Sequence, residues 1–152
     1  MIEYKKAKLR DIIEMQNLVS PEVESGIILD RTDDEISTNI RSYTLAVDDD
    51  KLIGFCALHV HSPSLAEIRS LIIKEEYRGK GVGTGLINKV IQEGVELGLQ
   101  KILSLTYEKE FFEKLGFAEI PKESLPEHKI WADCIKCKHF PVCNEVSLIK
   151  TL

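Results

Sequence analysis

The chain has 152 residues, of which 43% are hydrophobic, and its formal net charge is −5. This length predicts one domain over residues 1–152 with enough residues to bury a core. The negative charge argues against nucleic acid as a partner, because nucleic-acid-binding domains usually carry a basic surface. No apolar stretch is long enough to predict a membrane span, and the first residues do not form a signal peptide. With four cysteines and no secretory signal, we expect a cytoplasmic protein.

Hydrophobic periodicity predicts an alternation of strands and helices along most of the chain. The first predicted elements are a strand at 2–6, a helix marked by Leu9 and Val19 and ended by Pro21, and a helix capped by Thr32 and Glu35 that runs to about Arg41. A hairpin of strands at 43–47 and 51–61 follows, and then a strand at 66–73 and a helix at 84–97 ended by Gly98. The last predicted elements are a strand at 101–106, a helix at 108–115 ended by Gly116, and strand-like segments around Phe117 and Ile130.

A glycine-rich segment at 76–83, with the sequence EYRGKGVG, separates the strand at 66–73 from the helix at 84–97. Glycines allow a tight turn, and the first N–H groups of a helix lack partners inside the helix and attract anions. Arg78 and Lys80 add positive charge. The spacing fits neither a Rossmann fingerprint nor a Walker loop. The segment therefore predicts a pyrophosphate site, with a glycine-rich surface loop as the alternative.

The order Arg78, Gly81 and Gly83 resembles the R/Q-x-x-G-x-G/A motif of the GCN5-related N-acetyltransferase (GNAT) family, and the order of elements resembles that family over nearly the whole chain. The resemblance implies an α/β (α+β) fold with a mixed central sheet flanked by helices, followed by a short cysteine-containing extension. It also implies acetyl-CoA as cosubstrate. The implied acetyl-CoA-binding residues are Leu71, Ile72, Ile73, Arg78, Gly79, Lys80, Gly81, Val82, Gly83 and Thr84.

Acetyl transfer requires a base for the acceptor amine, donors that polarise the thioester carbonyl, and a proton for the departing thiolate. The resemblance implies that backbone N–H groups of residues 71–73 polarise the carbonyl and that Glu67 is the general base. A solvent-facing Glu67 on a strand edge is the alternative. Phe112 stands where many family members have a tyrosine acid, so we take Tyr107 as the candidate acid, with water as the alternative. Cys56 is expected to pack in the core rather than carry an acetyl group.

The acceptor is suggested by a finer resemblance to the acetyltransferase domain of N-acetylglutamate synthases, of the short stand-alone bacterial type. It implies acetylation of the α-amino group of an amino acid, with L-glutamate as the expected acceptor in arginine biosynthesis. Arg31 matches the family's position for the substrate carboxylate. Arg69 is a second candidate for that role, although strand alternation places it on the same face as Glu67, so the two could simply pair.

The cysteine-bearing tail, at about 130–145, has Cys134 and Cys137 in a C-x-x-C pair with Cys143 further on. These cysteines and His139 are candidate ligands of a structural zinc ion. A disulfide, a redox pair and unligated thiols are the alternatives, and the proposed chemistry itself needs no metal.

Other functions stay open from the sequence. The chain could acetylate another small amine or amino acid, since residues outside the motifs decide the acceptor. Phe112 in the acid position motivates a CoA-binding sensor without turnover, and the tail motivates a zinc-dependent interaction module. Family members commonly pair through their C-terminal strands, so a homodimer is also expected from the resemblance.

Overall fold

A computed structural model describes residues 1–121 and 145–152. The described residues form seven strands and four helices, joined by short turns of 3₁₀ helix. The strands are β1 (Ile2–Lys6), β2 (Tyr43–Asp48), β3 (Lys51–Val60), β4 (Leu65–Ile73), β5 (Lys101–Thr106), β6 (Ala118–Ile120) and β7 (Val146–Thr151). The helices are α1 (Ile12–Glu24), α2 (Asp33–Thr38), α3 (Val82–Leu97) and α4 (Lys109–Lys114).

All seven strands belong to one mixed sheet in the order β1-β2-β3-β4-β5-β7-β6. The β4–β5 pair is parallel, and every other neighbouring pair is antiparallel. The parallel pair is joined by α3, which is the crossover that parallel neighbours require. The two strands beside the crossover therefore have the same direction, and their carboxyl ends lie at one edge of the sheet.

Helices cover both faces of the sheet, and strand alternation divides the core between them. On β2, Ala46 belongs to the cluster beneath α3, while Leu45 and Val47 belong to the cluster beneath α1 and α2. The α3 side is packed by Leu86, Ile87 and Val90, all of which are inaccessible to solvent. This arrangement confirms the predicted mixed sheet flanked by helices.

The first helix does not end at Pro21 as predicted; it continues to Glu24, with Pro21 inside it. Proline removes one backbone donor but does not prevent the chain from remaining helical near a helix end. Val19 and Val23 lie one turn apart on either side of Pro21, and both pack on the α1–α2 cluster. The apolar stripe therefore keeps the last turn in place.

The second helix is also shorter than predicted. Thr32 and Glu35 form the predicted capping box, with Glu35 N donating to Thr32 Oγ1 over 3.1 Å and Thr32 N donating to Glu35 Oε1 over 3.0 Å. The helix ends at Thr38 rather than near Arg41, and a separate 3₁₀ turn at Ile40–Ser42 leads into β2. The side chains of Thr38 and Asn39 both donate to the carbonyl of Glu35, and these local bonds compete with continuation of the helix.

The strand β7 was not predicted from the sequence. It inserts between β5 and β6 and pairs with both. The strand-like segment around Ile130 and the zinc candidates Cys134, Cys137, His139 and Cys143 lie outside the described residues. Within residues 1–121 and 145–152, no helix combines the length and the apolar character needed to cross a membrane.

Candidate functional site

The strands β4 and β5 separate at their carboxyl ends. The parallel ladder joins Leu65–Ile68 to residues 101–104 and goes no further, although β4 continues to Ile73 and β5 to Thr106. Past Ile68, the backbone groups on that edge of β4 have no ladder partner on β5. The gap between the strands therefore leaves peptide groups of β4 without a ladder partner on β5 at the middle of the sheet.

A β-bulge lies at the start of this gap. Phe55 pairs with Ile72 and Ala57 pairs with Arg69, so Ser70 and Leu71 together face the single residue Cys56. Ser70 has a φ of +56°, a left-handed conformation that is uncommon for a residue with a side chain. Bulges redirect the strand and its peptide groups, and strained residues often mark functional sites. The bulge therefore lies where the ladder between β4 and β5 has ended.

The glycine-rich turn stands directly beside the gap. Gly79 and Gly81 have φ values of +76° and +86°, and a Cβ added at either would have no atom within 4 Å. Gly81 is the N-cap of α3 and has no side-chain capping bond, so the first N–H groups of α3 depend on another partner. Gly83 differs, because a Cβ there would lie 3.3 Å from Phe111 Cζ; its small size serves the packing of α3 on α4.

The predicted cofactor residues do not all face the cleft. Arg78, Gly79, Gly81, Gly83 and Thr84 line it, as do residues 71–73 of β4. The Lys80 ammonium instead lies 5.7 Å from the centroid of the Tyr77 ring. Val82 is 1% exposed and packs in the core. It is the first residue of α3, which was predicted to begin at Thr84.

Arg78 is held by two contacts across the turn. Its Nε donates to the carbonyl of Ile73 over 3.0 Å, and its Nη2 lies 2.9 Å from Oε1 of Glu22 near the end of α1. About half of the Arg78 side chain is exposed to solvent. An anion that reached the guanidinium in the cleft would compete with Glu22 for it.

Glu67 is a buried carboxylate, not the solvent-facing residue that was the alternative. Its Oε1 lies 2.9 Å from Nε2 of His61 and 3.2 Å from Nε of Arg69. The pairing of Arg69 with Glu67, which was the alternative to a substrate role for Arg69, is therefore present. The ring of His59 packs edge-on against that of His61, with 4.9 Å between the centroids. Glu67 and Arg69 both line the cleft.

Two guanidinium groups converge on this part of the molecule. Arg31, directly before the capping residue Thr32, lines the same cleft as Arg69. The loop is held by Gln16 of α1, whose side-chain amide donates to the Arg31 carbonyl over 2.8 Å. Burial raises the pKa of the Tyr43 phenol, while the charges of both arginines oppose that rise, which places them in its electrostatic field.

The candidates for the leaving-group acid occupy different environments. Tyr107 lines the cleft just beyond β5 and is 42% exposed. Phe112 is 2% exposed, and its ring makes edge-on contacts with Phe111 and Phe117. Phe112 is therefore a core packing residue, and it has no hydroxyl group to act as the acid.

Cys56 is fully buried, and burial raises the pKa of its thiol to about 12. A thiol with that pKa is almost entirely protonated near neutral pH, and a protonated thiol is a poor nucleophile. Cys56 therefore packs in the core, as expected. In residues 1–121 and 145–152, no three His, Cys, Asp or Glu side chains come together in a way that could hold a metal ion.

These features surround one cleft of about 910 Å³. The end of α1, the loop at 26–31, the second half of β4, the glycine turn and the segment after β5 all contribute to its walls. A splayed sheet, with a glycine turn and the start of α3 on one side and a buried carboxylate on the other, is the arrangement expected for a site of the N-acetyltransferase class.

Comparisons with known proteins agree with that class. Residues 9–117 match the model of the acetyltransferase (GNAT) family. The chain is 36% identical over 148 residues to an uncharacterised N-acetyltransferase of Chlorobaculum tepidum, covering 97% of this chain and 95% of the relative. It is 29% identical over 119 residues to the amino-acid acetyltransferase of Mycobacterium tuberculosis, covering 76% and 68% of the two chains.

The fold is similar to that of N-acetylglutamate synthase from Neisseria gonorrhoeae, solved in complex with coenzyme A and N-acetyl-glutamate. The TM-score is 0.88 at 23% identity, and the match covers all of this chain and 35% of that one. The chain belongs to the GNAT acetyltransferase family and is an N-acetyltransferase.

The sequence did not point to two residues that hold the site together. Glu22, the partner of Arg78, lies beyond the predicted end of α1, and His61, the partner of Glu67, is only the last residue of a predicted strand. The one available signal for His61 is its alternation with His59 across Val60, which places the two on one face of that predicted strand.

Proposed function

We propose that the protein transfers the acetyl group of acetyl-CoA to the α-amino group of L-glutamate, which would make it an N-acetylglutamate synthase. The observation that carries the proposal is the shared cleft, lined by Arg31 and Arg69, by the buried carboxylate of Glu67, and by the glycine turn. Relatives named amino-acid acetyltransferases support an amino acid as acceptor.

The acceptor is inferred from the charges. Glutamate offers two carboxylates, and a planar guanidinium can bind a carboxylate through two hydrogen bonds. Arg31 comes from the loop before α2 and Arg69 from β4, so the two cations approach from different elements. The Nε of Arg69 donates a hydrogen bond to Glu67, and this bond orients the guanidinium within the cleft. We assign Arg31 as the principal carboxylate partner and Arg69 as a second one.

The donor is assigned to the glycine turn and the bulge. In the proposed complex, the pyrophosphate of acetyl-CoA binds the first N–H groups of α3 and the guanidinium of Arg78. The pantetheine arm enters the gap between β4 and β5. There the peptide groups of residues 71–73 are available to pair with the arm and to polarise the thioester carbonyl.

The proposed reaction is direct transfer. A proton leaves the acceptor ammonium for Glu67, directly or through a water molecule, and the freed lone pair attacks the thioester carbon. The carbon–sulfur bond breaks, and the nitrogen loses its second proton to solvent as the amide forms. The thiolate takes a proton from Tyr107, which then regains one from solvent, or takes it from solvent directly. Tyr107 lies at the rim of the same cleft, and the buried Phe112 has no proton to give.

Thiol release from acetyl-CoA, measured against the twenty amino acids and simple polyamines, tests the proposal. Turnover with L-glutamate well above the rest is the expected result. Turnover with a different amine would keep the reaction and overturn the acceptor. Bound acetyl-CoA without turnover on any acceptor would overturn the enzymatic proposal for these substrates and favour a CoA-binding sensor.

A further inference from the structure

A buried polar cluster contains the proposed base, and one of its members, His61, has no part yet in the reaction. It consists of His61, Glu67 and Arg69, with the ring of His59 against that of His61. The side chains of His61 and Glu67 are only 2% and 3% exposed. Polar groups so deeply buried are costly unless they are well paired, so the geometry of this pair is specified closely by the fold.

Both donors reach the same oxygen of the carboxylate. His61 Nε2 and Arg69 Nε lie 2.9 Å and 3.2 Å from Glu67 Oε1. A carboxylate oxygen has about two lone-pair sites, so these two donors restrain the direction of the Glu67 carboxylate.

We propose that His61 is a positioning residue for acetyl transfer: together with Arg69 it holds the carboxylate of Glu67 in the direction from which it accepts the proton of the acceptor amine. The inference rests on the proposed function, in which Glu67 is the base. The N–H bond of the ammonium breaks, an O–H bond forms on the carboxyl group of Glu67, and the nitrogen lone pair attacks the thioester. Glu67 later gives this proton to solvent.

The placement of the donors explains why a histidine is useful here. Arg69 lies two residues away on the same strand, so it follows any movement of β4. His61 comes from the segment after β3, and it therefore holds the carboxylate from a second element. Two anchors on different elements fix the direction of the carboxylate more firmly than one, and small errors in the direction of a base are costly to rate.

The test uses substitutions of His61 that change either the length of the side chain or its ability to donate a hydrogen bond. His61→Gln keeps an N–H donor at about the distance of Nε2. His61→Leu removes the donor, and His61→Asn keeps an amide that is too short to reach Glu67. We expect His61→Leu and His61→Asn to lower kcat by about 10- to 100-fold with little change in the KM for acetyl-CoA. His61→Gln should stay within about fivefold of wild type.

The matched control is His59→Leu, which removes the neighbouring imidazole but leaves the Nε2–H of His61 on Glu67. Its kcat should stay within about threefold of wild type. Thermal unfolding of each variant shows whether it is folded. If His61→Leu does not fold, the kcat of His61→Asn is compared with that of wild type instead. An equal loss of kcat in His61→Gln and His61→Leu, or in His59→Leu, would overturn the positioning role.

A double-mutant cycle with Glu67→Gln tests whether Glu67 is the residue through which His61 acts. If His61 acts through Glu67, adding His61→Leu to the Glu67→Gln variant should lower kcat no further, because the group that His61 positions has already lost its function. A further tenfold drop would contradict the proposal. Wild-type protein that transfers acetyl to no amino acid would instead refute the proposed function, and normal kcat in His61→Leu would refute the role of His61 alone.

Discussion

The two ends of α3 offer a matched pair of substitutions that separates cofactor binding from helix stability. Gly81 at the start and Gly98 at the end both have a φ of +86°, and an added Cβ at either meets no atom within 4 Å. Alanine in the left-handed region costs about 1–2 kcal/mol. Part of this is offset by the smaller entropy of the unfolded chain, which leaves about 1 kcal/mol.

Both variants should therefore lose similar stability. For a chain of this size, 1 kcal/mol corresponds to a fall in Tm of about 2–4 °C. The two positions are separated by the length of α3, about 24 Å at 1.5 Å per residue. Of the two, only Gly81 lines the cleft, directly before the first turn of α3.

We expect Gly81→Ala to raise the KM for acetyl-CoA by about 10-fold or more, because a charge-assisted hydrogen bond is lost or lengthened. Gly98→Ala should leave that KM unchanged. The assay is the initial rate of thiol release at saturating acceptor, with thermal unfolding of each variant as the stability measurement. An equal rise in KM for both variants would attribute the effect to the helix, and an unchanged KM in Gly81→Ala would refute the pyrophosphate assignment.

Three further variants test the remaining parts of the cleft. Glu67→Gln should lower kcat by about 10²–10⁴-fold, since it removes the general base, while the KM for acetyl-CoA changes little. Arg31→Lys should raise the KM for glutamate by about tenfold, because an ammonium cannot reproduce a bidentate contact. Glu22→Gln should lower the KM for acetyl-CoA by at most about fivefold, because it releases Arg78 from an ion pair that is half-exposed and therefore weak.

Each of these variants has a control of the same chemistry outside the cleft. Glu93→Gln removes a carboxylate that pairs with Lys6 at 3.1 Å, and Arg41→Lys changes an exposed arginine of the turn before β2. Both should match wild type in kcat and KM. Near-normal kcat in Glu67→Gln would remove that residue as base. A KM for glutamate that is as high in Arg41→Lys as in Arg31→Lys would reject the specific role of Arg31. A Glu22→Gln variant that binds acetyl-CoA more weakly would contradict the competition for Arg78.

The sequence predicted the structure best where neighbouring residues alone determine the backbone conformation. The turn between β4 and α3 follows from its glycines, and Gly81 and Gly98 have the left-handed conformation that only glycine adopts easily. The capping box of Thr32 and Glu35 depends on side chains within four residues of each other, and it was predicted correctly. The same holds for the hairpin between β2 and β3, with its three aspartates.

The sequence was least informative where distant residues decide the structure. α1 continues through Pro21 because Val19 and Val23 pack on a sheet that forms from residues far along the chain. The six residues of β7 carry no strong strand pattern, and they become a strand because β5 and β6 offer edges on both sides. The pairing of Glu67 with His61 joins β4 to the turn after β3, and neither segment alone identifies the partner.

The comparison of L-glutamate with L-glutamine as acceptor tests the central claim most directly. The two differ only in the side-chain carboxylate, which one of the two arginines is proposed to bind. If this is correct, kcat/KM for glutamate should exceed that for glutamine by at least about tenfold, because the amide leaves a guanidinium without its charged partner. Equal values, or a preference for glutamine, would contradict the assignment of glutamate as the acceptor.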